Sequence, residues 1–380
     1  MYIIHEGDLY RTRITHALEV AQIAKSIAIQ LGTDSDLHKG PDCDLTEAIA
    51  LAHDLGHPPF GHVGGDVLQQ LLANSKIPFE HNIQSYRIVS ELEERYIDFK
   101  GLNLTYATLE GILRHRSYFD LEKDIRRNIP KELKKEVSRF YSNNQPTIEA
   151  QVVNIADSIA YATHDIEDAL EMGLLEWYDF KRMIESHDII FISEILVGIE
   201  KRLKEYENRN AHTSPAIISK IRNRTLSRTI IDKLIRETVS HTKQNLAELV
   251  SNEGALWQKI RENEYAVVAL PDELERQVKT LLNRILVDHV YRDPRVMVMM
   301  QKGKIILQTI FYSFMDEPRA LPLRTQDKLW SYFKMEKKKQ KSKQGQKMKV
   351  QVIADYISGM TDKYAMDTYQ VLTQAYEKAL

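Results

Sequence analysis

A chain of 380 residues with one cysteine, Cys43, has no internal disulfide framework. That usage suits a reducing compartment, so the expected location is cytoplasmic. Hydrophobic residues make up 43% of the chain. No apolar run approaches the ~18 residues that a membrane span needs, and no membrane partner is expected. Met1-Tyr-Ile-Ile-His5 meets polar residues at once, and no secretory leader is read there. Charge of one sign is also lacking, since 52 Lys and Arg face 54 Asp and Glu. At a net charge of −2 the whole molecule does not attract nucleic acid, and any anion site must be local. Glycine-rich phosphate loops, internal repeats and convincing period-two strands are missing. The last absence points to an all-α fold.

What the sequence has instead is helical periodicity. Residues 13–31 read as an amphipathic helix stopped by Gly32. Val20, Ile23, Ala24, Ile27 and Leu31 form its apolar stripe, and His16 falls on that stripe. A polar loop at 33–44 precedes a helix over 45–55. Further helices are expected over 67–72 and 83–92, and over 107–114 with Thr105 as cap. A densely charged stretch at 120–139 reads as solvated. Pro146 opens a long helix to about Leu170, ended by Gly173. On that helix Ile148, Val152, Ile155, Ile159 and Ile166 line one side. Asp157, Tyr161, His164, Asp165 and Asp168 line the other. Such a polar stripe is either a wet surface or the wall of a cleft, and the aromatic within it favours the cleft. From 176 onward the pattern stays helical over 189–207, 214–250, 271–290, 303–315 and 350–379. A lysine cluster between Lys334 and Lys349 reads as a mobile solvated loop, or less favourably as a grip for phosphates or single-stranded nucleic acid.

Chemistry concentrates in His53-Asp-Leu-Gly-His-Pro-Pro-Phe-Gly-His62. Its prolines and Gly61 keep it from continuing as regular helix. A neutral imidazole next to a carboxylate is a metal-ligand pair. His16 upstream and Asp157 downstream complete a His16, His53, Asp54, Asp157 set spread over three helices. A divalent ion held by such a set acidifies water and neutralises phosphoryl charge. A cation for a phosphate tail is at hand in Arg13, and an acid for a leaving oxygen in His57, His62 or His81.

These residues resemble the HD-domain phosphohydrolases, and within them the deoxynucleoside triphosphate triphosphohydrolase (dGTPase-like) branch. The matching pieces run in the family's order. They are His5-Glu-Gly-Asp8, Arg11-Thr-Arg-Ile-Thr-His-Ala-Leu-Glu-Val20, His53 to His62, Phe79-Glu-His-Asn-Ile-Gln-Ser85, Gly101-Leu-Asn-Leu-Thr105, Glu149-Ala-Gln151 and Asp355-Tyr-Ile-Ser-Gly-Met-Thr-Asp362. The resemblance implies an HD helical core over 1–175 and a helical C-terminal region over 176–380 packed on it, with the lysine-rich loop at 334–349. It implies metal ligation by His16, His53, Asp54 and Asp157, with manganese, magnesium, iron, nickel or cobalt as the ion. It gives His62 the role of proton donor and puts His57 and His81 at the phosphates, with Tyr161 and Asp165 at the deoxyribose. The implied reaction is attack of water at the α-phosphorus, releasing deoxynucleoside and intact tripolyphosphate. A homo-oligomer and a dNTP activator follow by the same analogy.

Two departures stand out. The family places an acidic residue three positions after the histidine matching His62, where it orients that ring. Here the position is Gly65, and Asp66 follows as the candidate substitute. Family members also carry a few dozen residues before the segment matching His5-Glu-Gly-Asp8, including a glutamine at the sugar, and this chain begins just after that point. Two other readings are weighed against the dNTP reading. One is an HD phosphohydrolase for a different nucleotide or single-stranded DNA. The other is a weakly active nucleotide-binding regulator.

Overall fold

Thr12 begins the first element by accepting the Thr15 amide on its hydroxyl, and α1 runs Arg13–Gly32 behind it. The expected stripe, Val20 to Leu31, is buried. The computed structural model describes residues 12–33, 40–116, 129–130, 133–210, 212–250, 256–335 and 342–374. The segment His5-Glu-Gly-Asp8, positions 34–39 of the polar loop, 117–128 and 131–132 of the charged stretch and 336–341 of the lysine cluster lie outside the described residues. Within them the protein is built of α-helices with short π and 3-10 segments and contains no strand, as the missing period-two pattern required.

Caps set the boundaries. Asp42 accepts the Asp44 and Leu45 amides, so α2 spans Cys43–Ala52, two residues earlier than apolar spacing implied. The chain then bends through 53–60, and α3, Gly61–Ala73, starts directly after it, six residues before the expected Val67. His62 therefore sits in the first turn of a helix. Helix α4, His81–Arg87, is capped by Glu80 and continued by a π turn, Ile88–Leu92. Helix α5, Tyr106–Leu113, is capped by Thr105 as expected. The short α6, Lys134–Val137, buries Val137, so this end of the charged stretch is packed and not merely solvated. The long helix, α7, is Ile148–Glu171, capped by Thr147. After it come α8 Trp177–Ser186, α9 Ile190–Arg209, α10 Pro215–Val250 and α11 Leu256–Glu262. Helix α12, Asp272–Thr280, runs on as a π-helix, Leu281–Tyr291. Then follow α13 Pro294–Asp316, α14 Leu323–Met335, α15 Lys343–Ser358 and α16 Asp362–Thr373.

Three corrections to the sequence reading follow. Helices α8, α11 and α14 lie where none was bounded in advance. The expected run over 350–379 breaks at Gly359, where Thr361 caps a separate α16. The lysine-rich loop at 334–349 is helix at both described ends: α14 reaches Met335 and α15 begins at Lys343. There the Lys349 ammonium donates to the Met315 carbonyl, and burial lowers its pKa. Among the described residues no helix is long and apolar enough to cross a membrane.

Helices α1, α2 and α7 pack on one another, and α10 closes over α1 and α7. One apolar core joins these helices to buried residues from Phe180 through Val290, so the C-terminal region shares the core of the first helices. A second core joins Val67, Leu68 and Leu72 of α3 to Leu307, Phe311 and Phe314 of α13 and Ile353 and Ile357 of α15.

Two long-range clamps tie this second core to the bend. Arg87 grips Asp355 with both terminal nitrogens, joining α4 to α15. Asp362, at the start of α16, accepts the Phe60 amide at 2.9 Å and the Arg13 guanidinium at 3.2 Å. Arg13 also donates to the His57 and Pro58 carbonyls. Phe60 needs this help, because its φ of 66° is a left-handed conformation that bulky residues avoid. Gly56 lets the bend lie against α4: a Cβ there would stand 2.2 Å from the His81 carbonyl oxygen. Asp362→Ala removes acceptors from Arg13 and from the Phe60 amide at once. The expected loss in urea melts is about 1.5–3 kcal/mol, with faster amide exchange across 57–61; an unchanged midpoint would show that the clamp is idle.

Candidate metal centre

Helix α1, the bend and α7 bring His16, His53 and Asp157 together, with Asp54 beside them. His16 Nε2 lies 3.1 Å from Asp157 Oδ1 and 3.9 Å from Asp54 Oδ2. His53 Nε2 lies 3.5 Å from Asp54 Oδ1 and 3.7 Å from Asp157 Oδ1. Ligand atoms of His16, His53 and Asp157 lie within 4.8 Å of one another. His53 and Asp157 are buried. Asp157, His164 and Asp165 are 6%, 4% and 4% exposed, so this polar stripe of α7 is buried and is not wet surface.

A divalent ion fits this donor set. His53 Nδ1 donates to the Ala50 carbonyl at 2.6 Å. That bond leaves the lone pair on Nε2, which is buried and makes no hydrogen bond among the described residues. Burying two carboxylates together costs free energy unless cations surround them. Burial would raise both acids, but the surrounding histidines outweigh it and hold Asp54 and Asp157 well below the usual carboxylate range. The same charges act in reverse on His53. Burial pulls its imidazole down, Asp54 and Asp157 outweigh that, and it rises to about 9 without metal.

Three more imidazoles stand beside the four ligands. His57 and His81 stack with centroids 4.1 Å apart, and the His62 ring is 5.5 Å from His57 and 6.5 Å from His81. Burial drives His57 well below its ordinary range, so it stays neutral. Its Nε2 lies 3.5 Å from Asp54 Oδ1. His81 Nδ1 lies 3.3 Å from Glu80 Oε1, while Glu80 Oε2 caps α4. His62 is exposed, and a Cβ on Gly65 would meet nothing within 4 Å. Asp66 is exposed and pairs with no described residue. Arg13, expected at a phosphate tail, has its guanidinium on the bend and Asp362.

Further along α7, burial and the Asp165 charge raise Tyr161 well above its ordinary pKa, so its hydroxyl stays protonated. The Tyr291 hydroxyl donates to Asp165 Oδ2, and the Tyr161 and Tyr291 rings are 6.4 Å apart. Sequence reasoning missed Tyr291, which lies far along the chain at the end of the π-helix. It missed His164 as a support too. His164 Nε2 lies 3.2 Å from Glu19 Oε2, and its ring stands edge-on to His16 at 6.1 Å. Most directly, it missed His115, whose Nε2 is 3.3 Å from Asp157 Oδ2. No spacing rule points to a histidine just past a helix end.

Comparison with known proteins agrees with this geometry. Residues 13–162 match the HD domain, and residues 268–371 match the phosphohydrolase-associated domain. An all-α scaffold gathering His16, His53 and Asp157 under that match is a divalent-metal-dependent phosphohydrolase of the HD class. The deoxyguanosinetriphosphate triphosphohydrolase-like protein of Syntrophus aciditrophicus is 37% identical over 380 residues, covering 100% of this chain and 83% of that protein. The protein of the same name from Geobacter metallireducens is 35% identical, with 100% and 84% covered. That from Ralstonia pickettii is 37% identical over 371 residues, with 97% and 81% covered. The chain belongs to this deoxyguanosinetriphosphate triphosphohydrolase-like family of HD phosphohydrolases.

The raised His53 makes metal-free stability depend on pH. An imidazole raised from 6.5 to about 9 contributes its full stability below pH 6.5 and loses it as pH climbs through 9. His57, lowered by burial, titrates below that window. Metal-stripped protein should therefore melt at falling temperature between about pH 6.5 and 9. Saturating Mn²⁺ should flatten that slope, because the ion replaces the proton on Nε2. A metal-independent slope would contradict the ligand role of His53.

Proposed function

We propose that this protein hydrolyses deoxynucleoside triphosphates, breaking the bond between the 5′ oxygen and the α-phosphorus. Water oxygen bonds to phosphorus, the 5′ oxygen leaves with a proton, and deoxynucleoside and tripolyphosphate result. The observation that carries this reading is the convergence of His16, His53, Asp54 and Asp157 between two different flanks: the His57, His62 and His81 imidazoles, and the Tyr161, Asp165 and Tyr291 cluster. The names of the relatives support the substrate class.

A bound divalent ion supplies charge neutralisation and an acidified water. The protein's part is to hold and select. His57, kept neutral, and His81, oriented by Glu80, offer N–H groups to phosphate oxygens. Arg13 braces the bend that carries His57 and adds positive charge next to it. His62, in the first turn of α3, donates the proton to the departing 5′ oxygen. Asp165, held by Tyr291, accepts the sugar 3′-hydroxyl, and the Tyr161 ring occupies the space of a 2′-hydroxyl.

The test is purified protein with Mn²⁺ and each dNTP, with products separated by anion exchange. Tripolyphosphate supports the reading. Orthophosphate or monophosphate products point to a different HD phosphohydrolase. The open space at Gly65 favours one alternative, binding with little turnover. Equal rates on GTP and dGTP would refute the role given to Tyr161, and Tyr161→Ala should narrow a dNTP preference.

Gly65 has room for a side chain and lies outside the left-handed region, so Gly65→Glu should fold. A carboxylate three residues after His62 shares its helix face. It should raise kcat by roughly tenfold or more with little change in nucleotide affinity. A folded variant with unchanged or lower kcat overturns the role assigned to that gap. Asp66→Ala is the companion: a large loss there would mean that Asp66 swings in to support His62.

A further inference from the structure

The two oxygens of Asp157 face different ways. Oδ1 meets His16 Nε2 at 3.1 Å and His53 Nε2 at 3.7 Å, whereas Oδ2 meets His115 Nε2 at 3.3 Å. His115 is 2% exposed, and its ring centroid is 4.7 Å from that of His53. Its Nδ1 is buried and has no hydrogen-bond partner among the described residues. A neutral imidazole carries one N–H, and in a dry site that proton belongs on the nitrogen with an acceptor. Here that is Nε2, facing Asp157.

The segment carrying His115 is pinned from three directions. Asn82 Nδ2 donates to the His115 carbonyl at 2.7 Å. The Arg116 amide donates to Asn154 Oδ1 at 3.0 Å, one helical turn from Asp157. Arg114 reaches the carbonyls of Phe140, Asn143 and Asn144 at 2.9, 3.2 and 2.7 Å. Arg114 is itself paired with Glu110, which Arg261 of α11 holds with two further bonds. The backbone on both sides of His115 is thus fixed relative to α4 and α7.

We infer that His115 is a positioning residue of the metal centre: its Nε2–H holds Asp157 Oδ2, so that Oδ1 alone is turned to the ion. This rests on the metal-centre reading above. The contact cannot make His115 a fifth ligand in this arrangement, because its nitrogen is on the far oxygen. Nor does a merely space-filling histidine account for the contact. Without the donor, the Asp157 carboxylate is free to rotate and to offer both oxygens.

The test compares unmodified protein, His115→Ala and His115→Gln, first checked for equal melting temperature. Mn²⁺ affinity is measured by calorimetry, and the visible spectrum is recorded with Co²⁺ in place of Mn²⁺. Outer contacts of this kind are worth about 10–100-fold in metal affinity. His115→Ala should lose affinity within that range and weaken the Co²⁺ bands as coordination number rises. His115→Gln, which keeps an N–H of similar reach, should recover most of both. Wild-type affinity and spectrum in a folded His115→Ala overturn the inference. Equal losses in both variants also overturn it, since they mean ring volume and not the donor. If His115→Ala does not fold, His115→Gln decides alone: a spectrum and affinity near wild type support the donor, and loss of both rejects it. Failure of the unmodified protein to bind Mn²⁺ overturns the metal centre itself, and this inference with it.

Discussion

Two carboxylates, the part-buried Asp54 and the buried Asp157, face the same histidines, and most of the surrounding arrangement answers that constraint. Like charges in a poorly solvated site repel strongly and lose hydration, so they persist only with cations or donors on every side. The protein meets this with histidines. His16 and His53 lie between the acids, His57 backs Asp54, and His115 backs Asp157. A divalent ion completes the balance better than protons, because it neutralises both acids and leaves the imidazoles uncharged. Without it the site traps protons, which is why His53 rises to about 9.

Holding such a site requires a backbone that regular helices do not supply. His53, Asp54 and His57 lie where α2 has ended and α3 has not begun. The bend is stiff because distant elements grip it. The Gly56 amide donates to Ser85 Oγ, whose hydroxyl donates to the His53 carbonyl. Arg13 holds two carbonyls beyond it, and Asp362 holds the strained Phe60. Asp355 and Asp362 of the motif Asp355 to Asp362 both serve as such grips. These two acids lock α4 and the bend to α15 and α16, and so connect the far end of the chain to the histidines of the bend and α4. The same logic governs the other flank, where Asp165 of α7 and Tyr291, 126 residues later, meet at the end of a π-helix. Extra residues per turn alter which side chain faces α7, a use of π geometry common near functional sites.

Much of this was legible in the sequence because it is local. The all-α class followed from period and from the lack of alternation. The stripe on α1 that buries Val20 to Leu31 also carries His16 toward the core. Thr105 was readable as a cap and Gly173 as a stop, while the long helix starts at Ile148 behind a Thr147 cap and not at Pro146. The four-residue set was read because His53-Asp54 is adjacent in sequence and because the chain resembles a known family; the structure groups His16, His53 and Asp157, with Asp54 3.5 Å from His53 and 3.9 Å from His16. Errors arose at boundaries and breaks. Asp42 capped α2 earlier than hydrophobic spacing suggested, a glycine opened α3, and the lysines at 343–349 extend a helix that apolar periodicity alone could not reveal.

The sequence by itself determined the helical fold class, the ligand residue types and the neighbourhood of the bend, since each depends on side chains a few positions apart. Only tertiary structure decided what those residues do for one another. His115 meeting Asp157 Oδ2, Tyr291 meeting Asp165, and Asp362 bracing Phe60 are contacts between elements separated by tens to hundreds of residues. No periodicity encodes them. They exist because packing the apolar cores brings particular turns together, and because polar groups buried in that process must find partners within about 3 Å or lose their hydration without compensation.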